Sequence, residues 1–270
     1  MRLPALLRNK FHKRAAVFTP ENLLREARRQ KRIAKGKVPE ICVLDPDGDL
    51  VRHLRRTGAA KLSAAWACYH TELYEFSAGG ERLGVLGCAV GAPFAVLVAE
   101  EMFASGCELV VSVTSAGQIL AVRPTPYFVL ATRALRDEGT SYHYLRAADC
   151  AKIQPEVLAF ARRAFADGKV AVEEGAVWTT DAPFRETEEA IALAKREGLL
   201  AVEMETAALY AFAAARRWPV LCLAHVTNCM AKSEGDFEKG EAEGSVAVLD
   251  LLGRIAVEWR KGSLRTRCPR

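Results

Sequence analysis

Two carboxylates one residue apart, Glu203 and Glu205, stand between an apolar run and an alanine-rich stretch in GLLAVEMETAALYAFAAARR, residues 198–217. Leu199, Leu200, Ala201 and Val202 read as the end of a buried strand, and Met204, Ala207, Ala208, Ala211 and Ala215 recur at helical spacing. A strand that delivers acids into the first turn of a helix builds one wall of a pocket, where carboxylates hold hydroxyls or move protons. Acids also suit a helix N-terminus because the macrodipole favours negative charge there, so composition alone leaves both readings open.

The elements around this doublet alternate. Thr19 to Lys35 reads as a helix with Thr19 as N-cap, Pro20 in the first position and Gly36 as the stop. Ile41 to Leu44 is a short buried strand, Asp45-Pro46-Asp47-Gly48-Asp49 a turn, and Leu50 to Arg56 a basic helix. Leu73 to Phe76 and Arg82 to Leu86 form a hairpin, and Gly91-Ala92-Pro93 opens a helix running from Phe94 to Ser105. Leu109 to Val113 is a strand, with Thr114-Ser115-Ala116-Gly117 a polar, small-residue turn at its carboxyl end. Further strands are expected at Tyr127 to Ala131, Val170 to Val177 and Val220 to Val226, and helices at Pro155 to Ala166, Glu186 to Glu197 and Glu241 to Trp259. Thr179 to Phe184 reads as a loop. This pattern predicts an α/β fold, a single domain with a mixed twisted central sheet flanked by helices. It divides into a basic N-terminal helical arm (1–37), the α/β domain (38–262) and a basic tail (263–270).

With 270 residues, half of them hydrophobic, the chain can bury a full core. No apolar run approaches the length of a membrane span, and the start MRLPALLRNKFHKR lacks the apolar core of a secretory signal. Eight cysteines without a CxxC pair, several in apolar runs, read as buried thiols of a reduced cytoplasm, and no metal site is expected. The net charge of +5 is uneven: residues 1–37 carry +10, leaving −5 for the remainder. A nucleic-acid arm is the weaker reading, because interleaved aromatics are lacking; a solvated helix is the stronger.

The string V-E-M-E-T-A-A-L-Y resembles a signature of the purine nucleoside and uridine phosphorylase family, which cleaves the bond between a ribose and a base. Four more stretches match that family in order: LDPDGDLVRHL, AVGAPFAVLVAEE, VVSVTSAGQI and TTDAPFRET. The segment DEGTSYHY (137–144) is similar to a stretch of uridine phosphorylases. The resemblance implies a nucleoside phosphorylase-like fold and enzyme in which Glu205 holds ribose hydroxyls, Met204 packs on the sugar, and Glu203 is a further substrate-binding residue. It places Phe184, Asp181 and Asn228 at the base, Thr114, Ser115, Gly117 and Gly91 on the nucleophile side, and His70 and His143 at a sugar hydroxyl or the anion. For Asp181 a helix-capping role is the equal alternative, and for the two histidines a structural one.

The departures concern phosphate. Where the family places arginines, this chain has Gly48 or Asp49, Ser112 and the Tyr69-His70 pair. Arg52, Arg123 and His70 are candidates to replace them, and backbone N–H groups at Thr114 to Gly117 and near Gly91 can cradle an anion. Three functions follow: a nucleoside phosphorylase with inorganic phosphate as co-substrate and no other cofactor, a nucleosidase that uses water, or a non-catalytic nucleoside-binding member. Family likeness further implies a cytoplasmic homo-oligomer, dimer or higher, with a small-molecule nucleoside as its partner.

Overall fold

The computed structural model describes residues 4–166, 168, 170–230, 234–262 and 264. Among these the chain forms ten strands and seven α-helices. In order they are α1 (Pro20–Lys31), β1 (Ile41–Asp45), α2 (Asp49–Arg56), β2 (Lys61–Leu62), β3 (Tyr74–Ala78), β4 (Glu81–Gly87), α3 (Ala92–Ala104), β5 (Leu109–Gln118) and β6 (Tyr127–Asp137). Then come β7 (Cys150–Lys152), α4 (Pro155–Ala164), β8 (Val172–Thr180), α5 (Glu188–Arg196), β9 (Leu199–Glu203), α6 (Thr206–Arg216), β10 (Val220–Asn228) and α7 (Ser245–Arg260).

All ten strands belong to one mixed sheet in the order β10-β6-β8-β9-β5-β1-β4-β3-β2, with β7 on β6. Strand β10 also pairs with β5, in parallel, so β5, β9, β8, β6 and β10 close on themselves. The hydrophobic strands β1 and β10 are buried along their whole length, as strands covered on both faces must be. Helices α3 and α6 pack on this core through alanine-rich faces, and Tyr210 Oη of α6 donates to the Ala131 carbonyl of β6 at 2.6 Å.

Several boundaries differ from the sequence reading. Residues 114–117 are not a turn: they continue β5, because they pair with Ala224 to Asn228 of β10 and Gly117 pairs with Val202 of β9. Thr179 and Thr180 extend β8 in the same way, paired with β6 and β9. Helix α1 stops at Lys31, where Arg32 turns left-handed (φ 55°), before the expected glycine stop. Short strands β2 and β7 have no periodicity to reveal them.

The basic arm is part of the packed molecule. Leu24 and Ala27 of α1 are buried with Ala67 against Ala104 of α3, and Val38 N–H donates to the Ser105 carbonyl at 3.0 Å where the chain enters the sheet. Most of the expected basic tail lies outside the described residues. The seven described cysteines form no disulfide with one another.

Candidate active site

The carboxyl end of β9 and the first turn of α6 set the site. Glu203 is buried, and one of its oxygens accepts the N–H groups of Glu205 and Thr206, both at 2.8 Å, while the other accepts the Thr179 hydroxyl. It therefore caps α6 from within the strand, satisfying donors that a helix start leaves open, and faces the helix. Burial raises its pKa, and these three donors oppose that rise.

Glu205, held by that cap, points the other way. Its Oε1 accepts Gly91 N–H at 2.7 Å and its Oε2 accepts the Thr114 hydroxyl at 2.9 Å. Burial, then the nearby Glu203, push its pKa up to about 8. A carboxyl raised in this way can donate as well as accept hydrogen bonds near neutral pH. Gly91 meets it with φ +87°, a conformation L side chains rarely adopt, and no atom lies closer than 4.0 Å to where a Cβ would stand. The glycine leaves open space on that side.

Beside Thr114 lies a narrow cleft lined by Asp45, Asp47, Asp49, Thr114, Ser115, His225, Glu243 and Ser245. The β1–β5 ladder ends at Leu44 and Ser112. Past that point the Ser115 N–H faces the turn after β1, and Asp47 Oδ2 accepts it at 2.8 Å. Gly48 (φ +75°) makes the turn possible: a Cβ there would stand 2.8 Å from Cys88 Sγ and 2.9 Å from an Arg52 nitrogen. Asp45 accepts Val51 N–H at 2.9 Å, yet burial lifts its pKa to about 7. Asp49 is paired with Lys239 and Arg52, which bring its pKa below the ordinary value despite burial. His225 stacks on Phe128 with ring centroids 4.4 Å apart; burial, then Lys239, depress its pKa to about 4, so it is neutral at pH 7. Ser245 Oγ, in the same lining, and Ser112 Oγ are buried without a hydrogen-bond partner among the described residues.

On the other side of β5, Asn228 pairs with Gly117, and Met230 N–H donates to Asn228 Oδ1 at 2.9 Å. A Cβ on Gly117 would lie 2.7 Å from Met230 Sδ, so the methionine covers the face that this glycine leaves bare. Met204 is half-buried at the bend between β9 and α6.

Of the residues expected at the site, the structure gathers Glu205, Glu203, Met204, Gly91, Thr114, Ser115, Gly117 and Asn228 around the ends of β5, β9 and β10. Four others stand apart, each for a visible reason. Asp181 is exposed and accepts Gly139 N–H at 2.8 Å, which replaces the expected helix cap. Phe184 projects into solvent, 100% exposed, from the turn Pro183–Arg185, and shares a surface cleft with Met230. His70 is exposed, because its loop is drawn to α1 by Lys31 on the Cys68 carbonyl and by Tyr69 on Gln30. His143 accepts Lys10 Nζ at 3.1 Å and stays on the side of the N-terminal segment. The proposed replacement cations are engaged too, Arg52 by Asp49 and Arg123 by Glu173.

Sequence reasoning did not single out Asp45, Asp47, Asp49, His225, Lys239 and Ser245 as site residues. Their signals were faint: three acids after one strand, a single polar residue inside the apolar run VLCLAHV, and one lysine in the acid-rich EGDFEKGEAEG. Among the described residues, no group of three His, Cys, Asp or Glu side chains is placed to hold a metal ion.

The family model described as the phosphorylase superfamily matches residues 40–254. A guanosine phosphorylase from Halorubrum lacusprofundi is 27% identical over 182 residues, covering 67% of this chain and 75% of that protein. A DeoD-type purine nucleoside phosphorylase from Myxococcus xanthus is 32% identical over 139 residues, 50% of this chain and 57% of that one. Among solved structures, a uridine phosphorylase from Vibrio fischeri complexed with 6-hydroxy-1-naphthoic acid has the same fold. Its TM-score is 0.68 at 19% identity, over 83% of this chain and 92% of that chain.

Proposed function

The chain belongs to the phosphorylase superfamily, and we propose that it cleaves the N-glycosidic bond of a nucleoside with inorganic phosphate as the acceptor. The observation that carries this reading is Glu205, buried behind Thr114 of the cleft lining and bridging Gly91 N–H and the Thr114 hydroxyl. A carboxyl so placed exchanges these protein donors for sugar hydroxyls when a nucleoside enters. Breaking the bond between C1′ and the base nitrogen develops positive charge on the sugar, which neighbouring carboxylates stabilise. A phosphate oxygen then bonds to C1′, the bond electrons leave with the base, and the base takes up a proton. The products are free base and sugar 1-phosphate. Asn228 is the group that contacts the base in this scheme, with Met204 under the sugar. Asp181 and Phe184 reach the base only if their loop folds inward.

Water is the second reading for the acceptor, and one observation favours it: Asp47 already occupies the Ser115 N–H that an anion would use. The relatives named for guanosine and purine nucleosides support a purine substrate over a pyrimidine. The reaction needs no cofactor beyond phosphate. No helix among the described residues is long and apolar enough to cross a membrane, and we place the enzyme in the cytoplasm as a homo-oligomer.

Base release from a panel of purine and pyrimidine nucleosides, with and without inorganic phosphate, tests the proposal. Release that requires phosphate and yields sugar 1-phosphate is the expected result. Equal release without phosphate would move the assignment to a hydrolase, and binding without turnover to a non-catalytic member.

A further inference from the structure

Two backbone N–H groups on the expected nucleophile side, Gly91 and Ser115, are both taken by the protein's own carboxyl groups. They are not taken alike. Glu205 is 1% exposed and held on both oxygens, whereas Asp47 is half-buried and makes no ion pair among the described residues. Its one strong contact is the charge-assisted bond from Ser115 N–H, at 2.8 Å. Asp49, two residues on, is clamped by Lys239 and Arg52 and cannot leave at comparable cost. Asp45 also has a single donor, Val51 N–H, but it is 5% exposed; Asp47 is the half-buried acid of the turn, held among the described residues by Ser115 N–H. The same lining holds Ser245 Oγ, 1% exposed and without a hydrogen-bond partner among the described residues.

We propose that Asp47 determines acceptor specificity: its carboxylate is a built-in anion on Ser115 N–H, which inorganic phosphate must displace before it can bind beside the sugar carbon. This rests on the glycosidic-cleavage reading of the same cleft. A dianion entering beside Asp47 and Glu243 meets like charge, Lys239 and Arg52 being already paired with Asp49, and the donor it needs is already satisfied. Rejection of a competitor by an unfavourable charge is an ordinary source of specificity. The internal carboxylate therefore weakens phosphate binding and leaves a neutral acceptor unaffected. Once Asp47 swings out, Ser115 N–H and the Ser245 hydroxyl become available to phosphate oxygens.

Titration of inorganic phosphate by calorimetry into the wild-type chain, Asp47→Asn and Asp47→Ala tests this, with thermal unfolding of each as the control for folding. Asparagine keeps an acceptor for Ser115 N–H and loses the charge; alanine loses both. Phosphate should bind about tenfold or more tightly to D47A than to the wild type, with D47N between them. In turnover the gain should appear in the phosphate KM rather than in kcat. Should D47A prove too unstable, D47N alone must still show the tighter phosphate binding. Equal phosphate affinity in folded variants, or weaker affinity in D47A, would overturn the proposal. If instead D47A gains phosphate affinity while the wild type releases base without phosphate, phosphorolysis by the natural chain falls and the role of Asp47 stands.

Discussion

Glu205 carries two functions that can be measured separately. Its chemistry requires a carboxyl between Gly91 N–H and Thr114, so Glu205→Ala should lower kcat/KM about a hundredfold or more, read in the base-release assay. Its burial has a thermodynamic consequence independent of substrate. The pKa rises from the ordinary 4.5 to about 8, so the folded chain holds this proton more tightly than the unfolded one. The stabilisation is complete below about pH 4.5 and is lost as pH climbs through 8. Asp45, raised to about 7, adds a loss of the same sign over a narrower window. Thermal midpoints should therefore fall between pH 5 and pH 8. Glu205→Gln, which does not ionise, should flatten that decline, and an unchanged slope would show that the carboxyl titrates normally.

At the scale of elements, the junction of β9 and α6 was legible in the sequence because it is local. Strand, acid doublet and alanine-rich helix follow within twenty residues, and the acids fall where a helix start needs them. Residue type alone does not divide the labour between Glu203 and Glu205, which differ in the donors that surround them; only the family resemblance assigned the ribose to Glu205. The acceptor cleft was far less legible. Asp47 meets Ser115 across 68 positions and Lys239 meets Asp49 across 190, separations over which neither periodicity nor capping rules carry information. The stretch Thr114 to Gly117 looked like a turn because it is small and polar; it is strand because β9 and β10 supply partners on both sides. This division of roles predicts opposite signatures for the two acids. Glu203→Ala removes the cap of α6 and leaves the Thr179 hydroxyl without its acceptor, and should cost about 2–4 kcal/mol in denaturant unfolding. Glu205→Ala should cost catalysis first. Gly91→Ala belongs with the helix start of α3: forcing φ 87°, ψ 151° on alanine should cost about 1–3 kcal/mol and displace the N–H that Glu205 accepts, lowering activity as well.

Over the whole molecule, the alternation of strands and helices foretold a mixed sheet in one domain, but not that five strands would close on themselves, because closure depends on the long-range pairing of β5 with β10. Closure brings the ends of β5, β9 and β10 to one place, and the site forms there. The N-terminal arm also divides in a way its charge pattern hides. Residues 4–18 lie largely on the surface, with Phe11 75% and Val17 98% exposed; they touch the body at Lys10–His143, at His12–Tyr142 and where the turn Ala5–Leu7 meets Ser141–His143. Helix α1, by contrast, buries Leu24 and Ala27 against Ala67 and Ala104. Deletion of residues 1–18 should therefore leave the thermal midpoint nearly unchanged, because exposed side chains and surface hydrogen bonds contribute little. Deletion of residues 1–37 strips α1 from α3 and uncovers the apolar seam at Ala67 and Ala104. Since burial of one leucine accounts for about 2–5 kcal/mol, this second truncation should lower the midpoint by several degrees or leave the chain aggregated. If both truncations melt alike, α1 is a solvated appendage, and the boundary of the folded unit lies at residue 38 as the charge distribution alone suggests.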